Sequence, residues 1–104
     1  MKPITRTTNM NRTEAAYAMQ LEALKQAGEV RDYLYEAVTL KLANDTRYTP
    51  DFFVVYPDRF ECHEVKGFWR DDAKVKIKVA AQRFPWMKFI AVQWKGKQWL
   101  REEF

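Results

Sequence analysis

Residues 46–66 read TRYTPDFFVVYPDRFECHEVK, and two strands joined at Pro57-Asp58 account for them. Phe52, Phe53, Val54 and Val55 are apolar at consecutive positions. Such a run suits a strand covered on both faces, so helices are expected on either side of the sheet. Pro50 lacks a ladder donor and marks an edge or a bulge within a strand spanning 46–56. In the second run, 59–66, period-two alternation puts Phe60, Cys62, Glu64 and Lys66 on one face. The spacing Pro50-Asp51-x12-Glu64-x-Lys66 therefore brings two carboxylates and an amine to neighbouring strand ends.

Working outward, residues 30–42 (VRDYLYEAVTLKL) mostly alternate and read as a strand ending in the turn Ala43-Asn44-Asp45. Before it, 13–27 (TEAAYAMQLEALKQA) carries Tyr17, Leu21 and Leu24 at helical spacing, and Gly28 is a helix stop. After Gly67, residues 70–83 (RDDAKVKIKVAAQR) alternate Lys with Val75, Ile77 and Val79 as a strand would. Ala73, Ala80, Ala81, Gln82 and the leading Asp71-Asp72 favour a helix closed by Pro85. Residues 87–94 and 98–103 read as strands separated at Gly96. The expected fold is α/β, in the order α-β-β-β-α-β-β, a mixed sheet flanked by helices. One domain covers 1–104, with residues 1–11 as a flexible arm.

Composition narrows the classes. No apolar run approaches the roughly 20 residues that span a bilayer, and MKPITRTTNMNR lacks the apolar core of a secretory signal, so a cytoplasmic setting is expected. Cys62 has no disulfide partner, and one Cys beside one His63 falls short of a closed zinc site. Of the net charge of +4, Glu14, Asp51, Glu64 and Lys66 contribute −2, leaving +6 on the rest of the chain. A basic frame around an acidic pocket suits a polyanion, although lysines that simply face water give the same total.

Hydrolysis of a phosphodiester calls for such a set, because water must lose a proton while the phosphoryl group gathers negative charge. Asp and Glu oxygens are the hard ligands that Mg²⁺ prefers, with Mn²⁺ a possible substitute. Lys66 would orient the attacking water or neutralise charge on the phosphate. Each residue also has a plainer role. Glu14 lies three residues after Asn11 and fits a capping box. Asp51 fits a turn, and Glu64 with Lys66 a surface ion pair. His63 falls on the face opposite Glu64 and reads as a packed core residue, as does Cys62.

With these residues in view, the chain resembles the PD-(D/E)XK nuclease superfamily over roughly 12–94, through Pro50-Asp51 and Glu64-Val65-Lys66. It is most similar to short phage-encoded endonucleases, and its disposition of Glu14, Asp51, Glu64 and Lys66 is similar to that of phage Holliday junction resolvases. The resemblance implies a restriction-endonuclease-like core and Mg²⁺ held by Asp51, Glu64, the Val65 carbonyl and the helix-borne Glu14. It also implies Lys66 as the catalytic lysine, and action in recombination or DNA processing in the host cytosol.

The expected activity is a Mg²⁺-dependent DNA endonuclease, selective for branched DNA and acting as a possible homodimer, with an exposed row within 31–42 as one dimer surface. Trp69, Arg70, Lys74 and Lys78 are candidate DNA contacts, although lysines at steps of about 200° cannot share one helix stripe. Trp86, Trp94, Lys95, Lys97 and Trp99 mix aromatic and basic character near the C-terminus. A noncatalytic DNA-binding module with the same fold is the alternative, and RNA fits a phosphate-reading surface equally well.

Overall fold

The computed structural model describes residues 10–67 and 71–104, apart from the side chains of Asp71 and Asp72. The elements follow as α1 (Arg12–Gln26), β1 (Asp32–Tyr35), β2 (Leu40–Ala43), β3 (Thr46–Tyr48), β4 (Phe52–Val55), β5 (Phe60–Val65), α2 (Asp71–Arg83), β6 (Lys88–Lys95) and β7 (Gln98–Glu103). A five-stranded sheet runs β1-β4-β5-β6-β7, antiparallel except for the parallel β5–β6 pair, while β2 and β3 form a separate hairpin. The architecture is an α/β domain with a mixed sheet and two helices.

The helices form where the spacing predicts them. α1 starts on a complete capping box, in which the Asn11 side chain accepts from the Glu14 N–H and the Glu14 carboxylate accepts from the Asn11 N–H. It ends at Ala27, after which Gly28 turns left-handed at φ 84°. In α2 the residues that reach the core are Ile77 and Ala80, with Ala81 and Phe84 against them. Helical spacing thus prevails over the alternating lysines.

Each face of the sheet is covered, as the apolar run at 52–55 requires. Phe52, Val54, Val65, Ile90 and Val92 pack against Tyr17, Ala18 and Leu21 of α1. On the reverse face, Cys62 and Phe89 pack with Ile77 and Ala80 of α2 and with Leu40, Leu42 and Tyr48 of the hairpin. The hairpin thereby supplies part of the second layer.

Two expectations need correction. The predicted strand 30–42 is broken: Glu36 turns left-handed at φ 49°, ending β1, and the chain leaves the sheet before β2. The run 46–56 breaks likewise at Thr49-Pro50-Asp51, where Pro50 has no N–H to continue a ladder. Pro50 is thus the buried corner between β3 and β4. The Thr39 and Thr49 hydroxyls, 2.8 Å apart, join the two departing arms at the base of the hairpin. An unbroken exposed row over 31–42 therefore does not exist. Of the expected N-terminal arm, residues 1–9 lie outside the described residues. Met10 packs on the core and Asn11 caps α1.

Candidate active site

Asp51 stands at the head of β4, one position before Phe52, which pairs with His63. Continuing that antiparallel register puts Asp51 opposite Glu64, and directly opposed residues share a face. Asp51 is held from both neighbouring strands. Its carbonyl accepts from the Glu36 N–H at 2.9 Å, and its Oδ2 accepts from the Val65 N–H at 2.8 Å.

Glu64 is equally constrained. Tyr48 of β3 donates its hydroxyl to Glu64 Oε1 at 2.6 Å, and Lys66 Nζ lies 3.2 Å from Oε2. The Lys66 backbone N–H donates to the Val92 carbonyl, so this residue still follows the β5–β6 ladder. The Glu64 and Lys66 side chains are 12% and 26% exposed, which separates them from a freely solvated surface pair.

The electrostatics follow from packing carboxylates together away from water. Burial pushes the Asp51 carboxyl well above its ordinary range, and the charges of Glu64 and Glu14 add to the rise. The Val65 N–H and the Lys66 ammonium oppose it. All the side chains expected at the site therefore act on Asp51. Glu14 is fixed by its cap and by Tyr35, whose hydroxyl donates to Glu14 Oε1 at 2.8 Å. Among the described residues no three His, Cys, Asp or Glu side chains cluster as a ready metal cage. Asp51 and Glu64 are then the side-chain donors on offer. Two hard carboxylate oxygens fit Mg²⁺, which keeps several waters and commonly uses one or two protein carboxylates.

Beside Glu64 a cleft of about 320 Å³ opens between β3 and α2, bordered by Arg47, Tyr48, Thr49 and Lys76. Lys76 Nζ donates to the Arg47 carbonyl at 3.1 Å, so helix and hairpin meet over the cleft. Lys74 points elsewhere, with its Nζ 4.0 Å from Glu102 on β7. Lys78 is exposed. Trp69 and Arg70 lie outside the described residues. Sequence reasoning missed Tyr48, Tyr35, Arg47 and Lys76. In an unbroken strand over 46–56, Tyr48 falls on the face opposite Asp51, and only the corner at Pro50 resets that phase.

The plainer readings of His63 and Cys62 fit their surroundings. His63 is fully buried, with Nδ1 2.7 Å from the Tyr17 hydroxyl and Nε2 2.8 Å from Glu61 Oε1. Burial lowers its pKa, against the pull of Glu61. Burial and the Glu64 charge push the Cys62 thiol up to about 12, which leaves it an inert core residue. The chain matches no protein-family model, no curated protein and no solved structure.

Proposed function

We propose that this protein is a metal-dependent DNA endonuclease of the PD-(D/E)XK superfamily, with Asp51, Glu64 and Lys66 as its centre. The observation that carries the reading is the strained carboxylate pair: Asp51, buried and opposite Glu64, is held by the Val65 N–H beside the Lys66 ammonium. A hard divalent cation relieves both the burial and the repulsion. Asp51, Glu64 and the Val65 carbonyl are the groups to hold it, with Glu14 adding negative charge from α1.

When bound, Mg²⁺ supplies Lewis-acid polarisation of the phosphate and a more acidic water. The chain's own residues do the positioning. Tyr48 and Lys66 hold Glu64 in one rotamer, and the backbone of β5 holds Asp51. Lys66 orients the attacking water or offsets charge on the phosphoryl oxygens. The water oxygen bonds to phosphorus and the bond to the 3′ oxygen breaks, giving a 5′-phosphate and a 3′-hydroxyl. Lys76 and Arg47, which border the cleft beside Glu64, would contact the flanking backbone phosphates.

Recognition by DNA shape follows from the economy of the fold. Among the described residues both helices are committed to the sheet faces, which leaves neither free to enter a major groove. Branched DNA is the favoured substrate, and a homodimer supplies the two centres needed to cut a junction symmetrically. The test is cleavage of labelled four-way junction, flap, duplex and single strand, with Mg²⁺ or EDTA, beside Asp51→Asn. Metal-dependent junction cutting that the variant lacks supports the reading. A junction that is bound but never cut leaves a binding module in its place.

A further inference from the structure

A second concavity, of about 500 Å³, lies between the outer face of α1 and the β6–β7 hairpin, walled by Thr13, Ala16, Met19, Trp94 and Trp99, with Arg12 beside them. Met19 is 74% and Trp94 52% exposed, large apolar surfaces left open to water. Their placement has a local cause. Ile90 and Val92 lie under α1, and Trp94 continues the same row of β6 beyond the helix cover. Its cross-strand partner Trp99 is wedged against Tyr17, with ring centroids 4.9 Å apart, and meets Trp94 edge-on at 5.2 Å. Trp99 is thus a fixed floor and Trp94 an open aromatic wall.

The charge beside this groove has one sign. Arg12 is the charged residue in its lining, with no carboxylate among the described lining residues, and Lys97 is exposed on the adjoining turn. The groove lies on the α1 face of the sheet, and the Glu64 cleft lies on the α2 face. β5 and β6 run parallel, so Glu64 and Trp94 sit toward the same end of the sheet. On α1, Thr13 and Ala16 face the groove while Glu14 between them turns to Tyr35. A self-association face needs about 800 Å² of self-complementary surface per partner, which a concave pocket with Arg12 in its wall does not offer.

We propose that this groove receives an unpaired nucleobase of single-stranded or branched DNA, stacked on Trp94, with neighbouring phosphates against Arg12 and Lys97. Stacking tolerates any base while cations follow the backbone, the combination found in single-strand binders. The inference goes beyond the nuclease reading, since it adds a DNA-binding surface on the sheet face opposite the Glu64 cleft.

Fluorescence anisotropy of labelled oligo(dT), with paired duplex of equal length beside it, tests the groove in EDTA, where cleavage plays no part. Trp94→Ala should weaken oligo(dT) binding about tenfold and Trp94→Phe much less, with duplex binding unchanged. Arg12→Ala should reduce the salt dependence by about one counterion. Should Trp94→Ala melt below the parent, Arg12→Ala on the exposed helix surface decides alone. Equal oligo(dT) binding by the parent and Trp94→Ala overturns the proposal, as does equal loss on duplex or an unchanged salt slope in Arg12→Ala. So does sedimentation showing a dimer that Trp94→Ala dissociates. Because the assay is metal-free, a chain that never cuts DNA can still pass it, and an active nuclease can fail it.

Discussion

The Val65 N–H donates to Asp51 Oδ2 across 2.8 Å, so the strand that carries Glu64 and Lys66 also sets the carboxylate of its neighbour. An amide oxygen accepts the same bond. Asp51→Asn should therefore keep the fold while losing the charge, and cleavage should fall by at least about 100-fold with circular dichroism unchanged. Retained cutting at parental rate would remove Asp51 from the chemistry.

Lys66 rests on Glu64 at 3.2 Å and is partly exposed. Lys66→Ala should cost more than the roughly 1 kcal/mol of a solvated surface pair, since it leaves the mostly buried Glu64 carboxylate without its cation. It should still abolish cleavage while a gel shift on branched DNA persists. Loss of binding and cutting in parallel would instead make Lys66 a simple phosphate contact.

Tyr48 donates to Glu64 at 2.6 Å from a hairpin outside the main sheet. Tyr48→Phe removes one hydroxyl from a buried charged hydrogen bond, and a loss of about 1–3 kcal/mol is expected in urea unfolding. Cleavage should slow about tenfold with little change in DNA affinity, the pattern of a positioning residue. Unaltered turnover would show that Lys66 alone suffices to hold Glu64.

The raised Asp51 pKa makes metal-free stability depend on pH in a definite direction. Its folded value lies above the unfolded one, so its contribution is fully present below about pH 4 and is lost as pH rises through the folded value. Added Mg²⁺ should raise the melting temperature by several degrees at about pH 8 and much less at about pH 5. Asp51→Asn should flatten both effects. An equal Mg²⁺ shift in that variant would place the ion elsewhere.

The opposite sign holds beneath α1. Burial opposes ionisation of Glu61, yet hydrogen bonds from His63 and Arg59, with the Arg101 charge, hold it down to about 2. His63 is also lowered, by burial. The His63 contribution is present above about pH 6.5 and lost as pH falls through its folded value, and that of Glu61 is lost from about pH 4.3 down to about 2. His63→Ala should cost about 2–5 kcal/mol, since it opens a cavity and strips Tyr17 and Glu61 of a partner. DNA cleavage by the folded fraction should stay near parental, and a specific loss of turnover would assign His63 to the site.

Local pattern carried much of this molecule. The helices at 12–26 and 71–83, the strands around 52–55, 60–65, 88–95 and 98–103, and the common face of Cys62 and Glu64 follow from periodicity, capping and turn chemistry, which act between near neighbours in the chain. The motif residues were legible for the same reason, because strand parity sets where Glu64 and Lys66 point.

What only the tertiary structure decided depends on pairs distant in sequence. The corner at Pro50 turned one expected strand into β3 and β4 and swung Tyr48 onto Glu64. The bend at Glu36 freed β2 to complete that hairpin. The packing of α2 against the hairpin brought Lys76, on the helix face of Ala73 and Ile77, to the cleft, while Lys74 lies off that face. Period-two and helical patterns specify which side of an element is apolar. They carry no information about which other element will meet it, and that choice belongs to the packing of the whole chain.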